Sequence, residues 1–195
     1  GDVFSRRQLL ALQVFSETAN EVQELVKQHA IEAGLADDGI SLRDGGTGAS
    51  AYAEAISVYL GMAVGRGANY WSAFTPWGGD FIVQTFGRQA LPMVWDFAEA
   101  NPFSSSTGNF SGAIDWVMKS IQNFIPAAPG HIEQCEAQEL SRVPENAVFS
   151  TDPPYYDNIG YADLADFFYI WMKRTLGAIY PDLFATVQTP KAAEL

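Results

Sequence analysis

The stretch Asn146-Ala147-Val148-Phe149-Ser150-Thr151-Asp152-Pro153-Pro154-Tyr155 decides how the chain is read. Its first six residues form a short apolar run bounded by turn formers, the pattern of a strand. The double proline cannot donate to a β-ladder, so the strand must end at Asp152. An aromatic helix is predicted from Ala162 to Leu176, with Lys173 and Arg174 in its last turns, where cations suit the helix dipole. Strand, polar loop and helix in this order predict an open α/β sheet, in which ligands bind beyond the carboxyl ends of the strands. The loop at Asp152 sits at such an end.

Outward from this stretch, His131–Cys135 predicts a second short strand, so residues 130–195 form a strand–motif–helix region. Residues 1–129 are mainly helical. Ser5-Arg6-Arg7-Gln8 has the form of a capping box. Phe15, Val22, Leu25, Val26 and His29 recur behind it at helical spacing, and Gly34 ends a helix predicted over Arg6–Ala33. Asp37–Ser50 holds four glycines and predicts a flexible loop. Tyr52, Ile56, Tyr59, Leu60 and Ala63 predict the apolar stripe of a second helix. Phe81–Thr85 is a candidate strand, and Leu91–Ala100 a candidate helix that tolerates Pro92 in its first turn. Ala113–Phe124 predicts a further helix. Trp71, Phe74 and Trp77 are expected in the core, and Cys135 as a buried thiol.

The composition narrows the function. The chain has 195 residues, 48% of them hydrophobic, and a formal net charge of -12. An acidic chain of this kind is not a stand-alone nucleic-acid binder, which would show a basic face. It can still carry the catalytic part of a protein that grips DNA elsewhere. One cysteine allows no internal disulfide and no multi-cysteine zinc site. His29 and His131 are far apart with no companion cysteine, so no metal site is read. With no secretory signal, these features predict a cytoplasmic protein. The longest apolar stretch, Ala55–Val64, is too short to cross a bilayer. The basic residues Arg6, Arg7, Arg88, Lys173 and Arg174 are scattered and are expected on a solvated surface.

At Asp152-Pro153-Pro154-Tyr155 the chain resembles the amino-group DNA methyltransferases, which act on adenine N6 or cytosine N4 and carry Asp/Asn/Ser-Pro-Pro-Tyr/Phe. Over Asp152–Trp171, Phe86–Phe103 and Phe4–Leu12 it is similar to large adenine-specific DNA methylases with an N-terminal domain of unknown function. The resemblance implies a helix-rich fragment of a Rossmann-like, S-adenosylmethionine-dependent methyltransferase that lacks the first strands of its sheet. It implies DNA as partner and adenine N6 as acceptor. The Asp152 carboxylate and the Pro153 carbonyl would accept from the two amine hydrogens. Pro154 would help make the turn rigid, and Tyr155 would stack on a base swung out of the duplex.

The resemblance also places Glu136, in Cys135-Glu136-Ala137, near the cofactor, and Tyr156, Asn158 and Tyr161 around the target base. The family's Asp-x-Phe-x-Gly-x-Gly signature is not found. Asp44-Gly45-Gly46-Thr47-Gly48 is a stand-in without the Phe, and a lone glycine-rich loop is a weak signal. The chain is therefore expected to be a piece of a longer protein that binds S-adenosylmethionine poorly by itself. Two alternatives stay open. The same turn can present an amine of RNA or a protein amide, or the chain can be a non-catalytic helical interaction module.

Overall fold

Ser5 begins the first helix as the capping box predicts. Its hydroxyl accepts from the Gln8 amide at 3.3 Å, and the Gln8 side chain accepts from the Ser5 amide at 2.7 Å. Helix α1 runs from Arg6 to Glu32. Three more follow: α2 over Ala49–Ala68, α3 over Phe110–Asn123 and α4 over Tyr161–Leu176. Asn109 caps α3 by accepting from the Gly112 amide. The computed structural model describes residues 2–88, 90–124, 128, 130, 132, 135, 139, 143, 146–153 and 159–191.

The center of the bundle is α2, against which α1, α3 and α4 all pack. That position explains its composition. Its buried residues include Ala49, Ala53, Ser57, Gly61, Val64 and Ala68, small enough for helix axes to come close. Of the stripe predicted from Tyr52, Ile56, Tyr59, Leu60 and Ala63, Ala63 is buried and Ile56 and Leu60 are partly buried, whereas Tyr52 and Tyr59 are exposed. On α1 the buried positions are Gln8, Leu12, Ser16, Ala19 and Ala30, whereas Leu25 and His29 are exposed. One core joins Leu12, Val64, Ala68 and Trp71 to Phe167 and Trp171 of α4. Trp71 is buried, and its indole N–H donates to the Gly108 carbonyl at 2.7 Å.

The α/β, Rossmann-like prediction is corrected by this architecture: among the described residues there are four α-helices and no strand or sheet. Phe81–Thr85 reduces to one isolated antiparallel bridge, between Trp77 and Ile82. Leu91–Ala100 is not helical. Asn146–Thr151 has the residues of a strand but no ladder partner among the described residues, and Val148 is 93% exposed. Strand propensity expresses how well a residue fits a pleated, half-covered surface, so without a neighboring strand it has nothing to act on. The predicted strand at His131–Cys135 falls largely outside the described residues. Cys135 is exposed rather than buried. Of the aromatic trio, Trp71 lies in the core while Trp77 is exposed.

The loop at Asp37–Ser50 is not a loose linker. Asp38 accepts from the amides of Ile40 and Thr47, and Asp37 accepts from those of Gly39 and Ser50. Lys27 on α1 pairs with Asp37 at 2.9 Å. That hydrogen bond, followed by those from Ser50, holds Asp37 well below the usual carboxylate range. Among the described residues no helix is long and apolar enough to cross a membrane.

Candidate functional site

Asp152 and Pro153 are both exposed, so nothing in the described structure blocks a ligand from reaching them. Pro154, Tyr155, Tyr156 and Asn158 lie outside the described residues, as does Glu136. The chain is described again at Ile159 and Gly160, which lead into α4. The Leu164 amide donates back to the Gly160 carbonyl at 3.1 Å as the first turn closes. Tyr161, the last of the predicted base-pocket residues, opens this turn and is half exposed.

The first turn of α4 forms one wall of a cleft of about 560 Å³, through Ile159, Tyr161 and Leu164. The other wall is Phe86, Gly87 and Arg88. This volume is within the range of small-ligand sites, roughly 300–1,000 Å³. Phe86 is fixed from behind, edge-on to Phe167 with ring centroids 5.0 Å apart and tilted against Phe168 at 5.2 Å. Phe4 packs on the same helix, 5.2 Å from Phe167 and 5.5 Å from Trp171. The three sequence stretches that begin at Phe4, Phe86 and Asp152 thus converge on α4. Sequence reasoning missed Phe86 and Leu164 as cleft residues; Arg88, expected on a solvated surface, is exposed and also lines the cleft. The signal was present in Phe86-Gly87-Arg88, an aromatic beside a flexible residue and a cation, but its partner is far along the chain.

Behind the cleft, α4 is tied down by the end of the chain. Lys191 pairs with both Asp163 and Asp166. Thr189 donates to Asp166 from its amide at 2.8 Å and from its hydroxyl at 2.5 Å. The Lys191 hydrogen bond, then those from Thr189, hold the Asp166 carboxyl down at about 2. Hydrogen bonds to the two carboxylates raise Lys191 in turn. The helix that carries Tyr161 is therefore a clamped platform.

The glycine loop does not fit a cofactor. A Cβ at Gly46 would lie 2.1 Å from the Ile40 carbonyl oxygen, and one at Gly48 would lie 2.5 Å from the Asp38 nitrogen. These glycines let the loop close on its own backbone. The amides of Ile40 and Thr47, which an anionic ligand would need, are already bound to the Asp38 carboxylate. Among the described residues this loop offers no seat for S-adenosylmethionine. No family model, no curated protein and no solved structure matches the chain.

Proposed function

We propose that the chain holds the exocyclic amine of a DNA base, adenine N6, for methylation by an S-adenosylmethionine-dependent enzyme of which it forms the acceptor side. The observation that supports this is the exposure of Asp152 and Pro153, a few residues in sequence before α4, whose first turn walls a ligand-sized cleft with Phe86 and Arg88.

An aromatic amine is a poor nucleophile because its lone pair is delocalized into the ring. Two acceptors, the Asp152 carboxylate and the Pro153 carbonyl, one on each N–H, favor a pyramidal nitrogen and return the lone pair to it. Proline fixes the direction of that carbonyl. Tyr155 supplies a stacking surface for the base, worth about 1–3 kcal/mol. By the resemblance, Tyr156 and Asn158 would neighbor the base together with Tyr161, which lines the cleft. S-adenosylmethionine, when bound to the complete protein, would supply an electrophilic sulfonium methyl; Asp152 would hold the amine and take its surplus proton on to water. Holding the acceptor in line is where such a chain supplies rate.

The test uses the complete reading frame that encodes this chain, assayed for transfer of a labeled methyl group from S-adenosylmethionine to unmethylated DNA. Losing one preorganized hydrogen-bonding group costs on the order of 10²–10³ in turnover. Asp152→Ala is expected to lose at least that much with the melting temperature unchanged. Undiminished transfer in this variant overturns the proposal. Transfer to RNA or to a protein amide with DNA inert replaces its substrate, and no transfer with any of the three leaves the interaction-module alternative.

A further inference from the structure

We infer that the groove between α2 and α3 binds a free alkyl carboxylate, with its chain along the two helices and its head at Arg66. The groove encloses about 810 Å³, and its walls include Tyr59, Met62, Trp116, Val117, Ile121 and Phe124. This volume falls within the range of small-ligand sites, roughly 300–1,000 Å³. At Arg66 and Trp116, which line both, it adjoins a polar pocket of about 200 Å³ that includes Thr107 and Asn109. An apolar cavity with a few polar groups gathered at one end is the usual makeup of a site for a small amphiphile.

The shape follows from helical spacing. Tyr59, Met62 and Arg66 recur along one face of α2, and Trp116, Val117, Ile121 and Phe124 along one face of α3. Gly67, in the last turn of α2, and Gly112, in the first turn of α3, both line the polar pocket, so the two helices run in opposite directions. Tyr59 and Phe124 therefore lie at the end away from Arg66. At a rise of about 1.5 Å per residue, each wall is about 10–12 Å long. Tyr59, Met62, Trp116, Ile121 and Phe124 are all exposed, a contiguous apolar patch of the kind that marks a binding groove. A partner helix would lay only about two turns along it, well short of a standard protein interface. A medium-length alkyl chain fits along it whole.

Charge decides the head group. The Arg66 guanidinium carbon lies 4.7 Å from the Trp116 ring centroid, and the Lys119 ammonium lies 6.0 Å from the same ring. Tyr70 flanks Arg66 on its other side, with its centroid at 5.8 Å. Each cation is drawn to the ring, but two like charges at one indole repel each other, and an anion beside them relieves that repulsion. No Asp or Glu lines the groove or the polar pocket, in a chain with 23 acidic residues against 11 basic ones. Arg66 is half-buried, so its fork is placed at the border between the apolar walls and the polar pocket. A carboxylate accepts from such a fork through both oxygens while its alkyl chain stays on the apolar side. None of these residues belongs to the Asp152 turn or the Phe86 cleft, so the site stands apart from the methylation proposed above.

The experiment is isothermal titration calorimetry of the full chain with sodium decanoate, kept below its micelle concentration. Saturable binding at one site per chain is expected. Octanoate should bind roughly 4- to 15-fold more weakly, the upper value being that of two fully buried methylenes. 1-Octanol, which lacks the charge, should bind about tenfold more weakly than octanoate. Arg66→Gln should weaken decanoate by about tenfold and leave 1-octanol unchanged, a split that a merely structural role would not produce. Ile121→Ser should weaken both. Arg43→Gln changes the net charge equally, at a residue paired with Asp182 outside the groove, and should bind decanoate as wild type. Melting curves verify that each variant folds. Absence of saturable binding, equal affinity for octanol and octanoate, or unchanged decanoate affinity in folded Arg66→Gln overturns the inference. Attachment to phosphatidylglycerol vesicles without saturable decanoate binding replaces the free carboxylate with a lipid surface. Decanoate affinity that falls as the chain self-associates at rising protein concentration replaces it with a second copy.

Discussion

Gln8 uses both ends of its amide. The oxygen closes the start of α1, and the nitrogen donates to the buried Ser72 carbonyl at 2.9 Å. Ser72 in turn shares a hydrogen bond with Thr85, which also donates to the Asn69 carbonyl, so one side chain links the helix start to the backbone behind the cleft. Gln8→Ala removes this donor while the Thr75 hydroxyl still donates to the Ser72 carbonyl at 3.0 Å, so the expected loss is about 0.5–1.5 kcal/mol, read from the midpoint of urea unfolding. Asp166 gives the second expectation at this scale. Its folded value is depressed to about 2, below the ordinary carboxylate value of 3.8. The contribution it makes is therefore complete above the unfolded value and is lost as pH falls through the folded one. The Thr189 amide, bound to that carboxylate, should lose hydrogen-exchange protection between about pH 4 and pH 2. Asp166→Asn should remove that pH dependence, and protection unchanged down to pH 2 would contradict it.

The helices owe their closeness to small residues on α2. A Cβ at Gly67 would lie 2.8 Å from the Trp71 ring, a buried group held by Gly108 on its N–H and by Phe15 at 5.1 Å. Alanine is better than glycine in a helix interior by about 1 kcal/mol. Overpacking a fixed indole typically costs 1–3 kcal/mol, so the second effect wins and Gly67→Ala is expected to destabilize by about 1 kcal/mol. The near-ultraviolet circular dichroism of Trp71 should change with it; a more stable variant with an unchanged spectrum would show that the ring yields freely. These facts also explain which elements were legible. The start of α1 was readable because a capping box is local chemistry, and α3 and α4 were found within three residues of their observed starts. The buried face of α2 was not, because period alone favors large apolar residues, while a helix packed on three others buries its small ones. Phe81–Thr85 and Asn146–Thr151 were misread because a strand depends on a partner that its own residues do not specify.

At the scale of the whole molecule, surface chemistry and net charge oppose each other. The cleft at the start of α4 was not legible, since Phe86 and Leu164 meet only through the packing of α4. The groove at Trp116 was hidden in the same way. The residues before Asp152 have the opposite problem: Val148 and Phe149 are 93% and 66% exposed. An apolar, β-prone segment with no ladder partner among the described residues is a template for pairing with another chain. The net charge of -12 keeps copies apart, and that repulsion depends on ionic strength. The Debye length falls from about 10 Å at 0.1 M salt to about 3 Å at 1 M. Sedimentation velocity should therefore show the mass of a single chain at low salt and a rising average mass toward 1 M sodium chloride. Val148→Lys combined with Phe149→Ser should suppress most of the rise, because the charge and the lost apolar area act on the segment itself. A mass that stays constant across this range would mean that the solvated segment does not drive association even when its repulsion is screened.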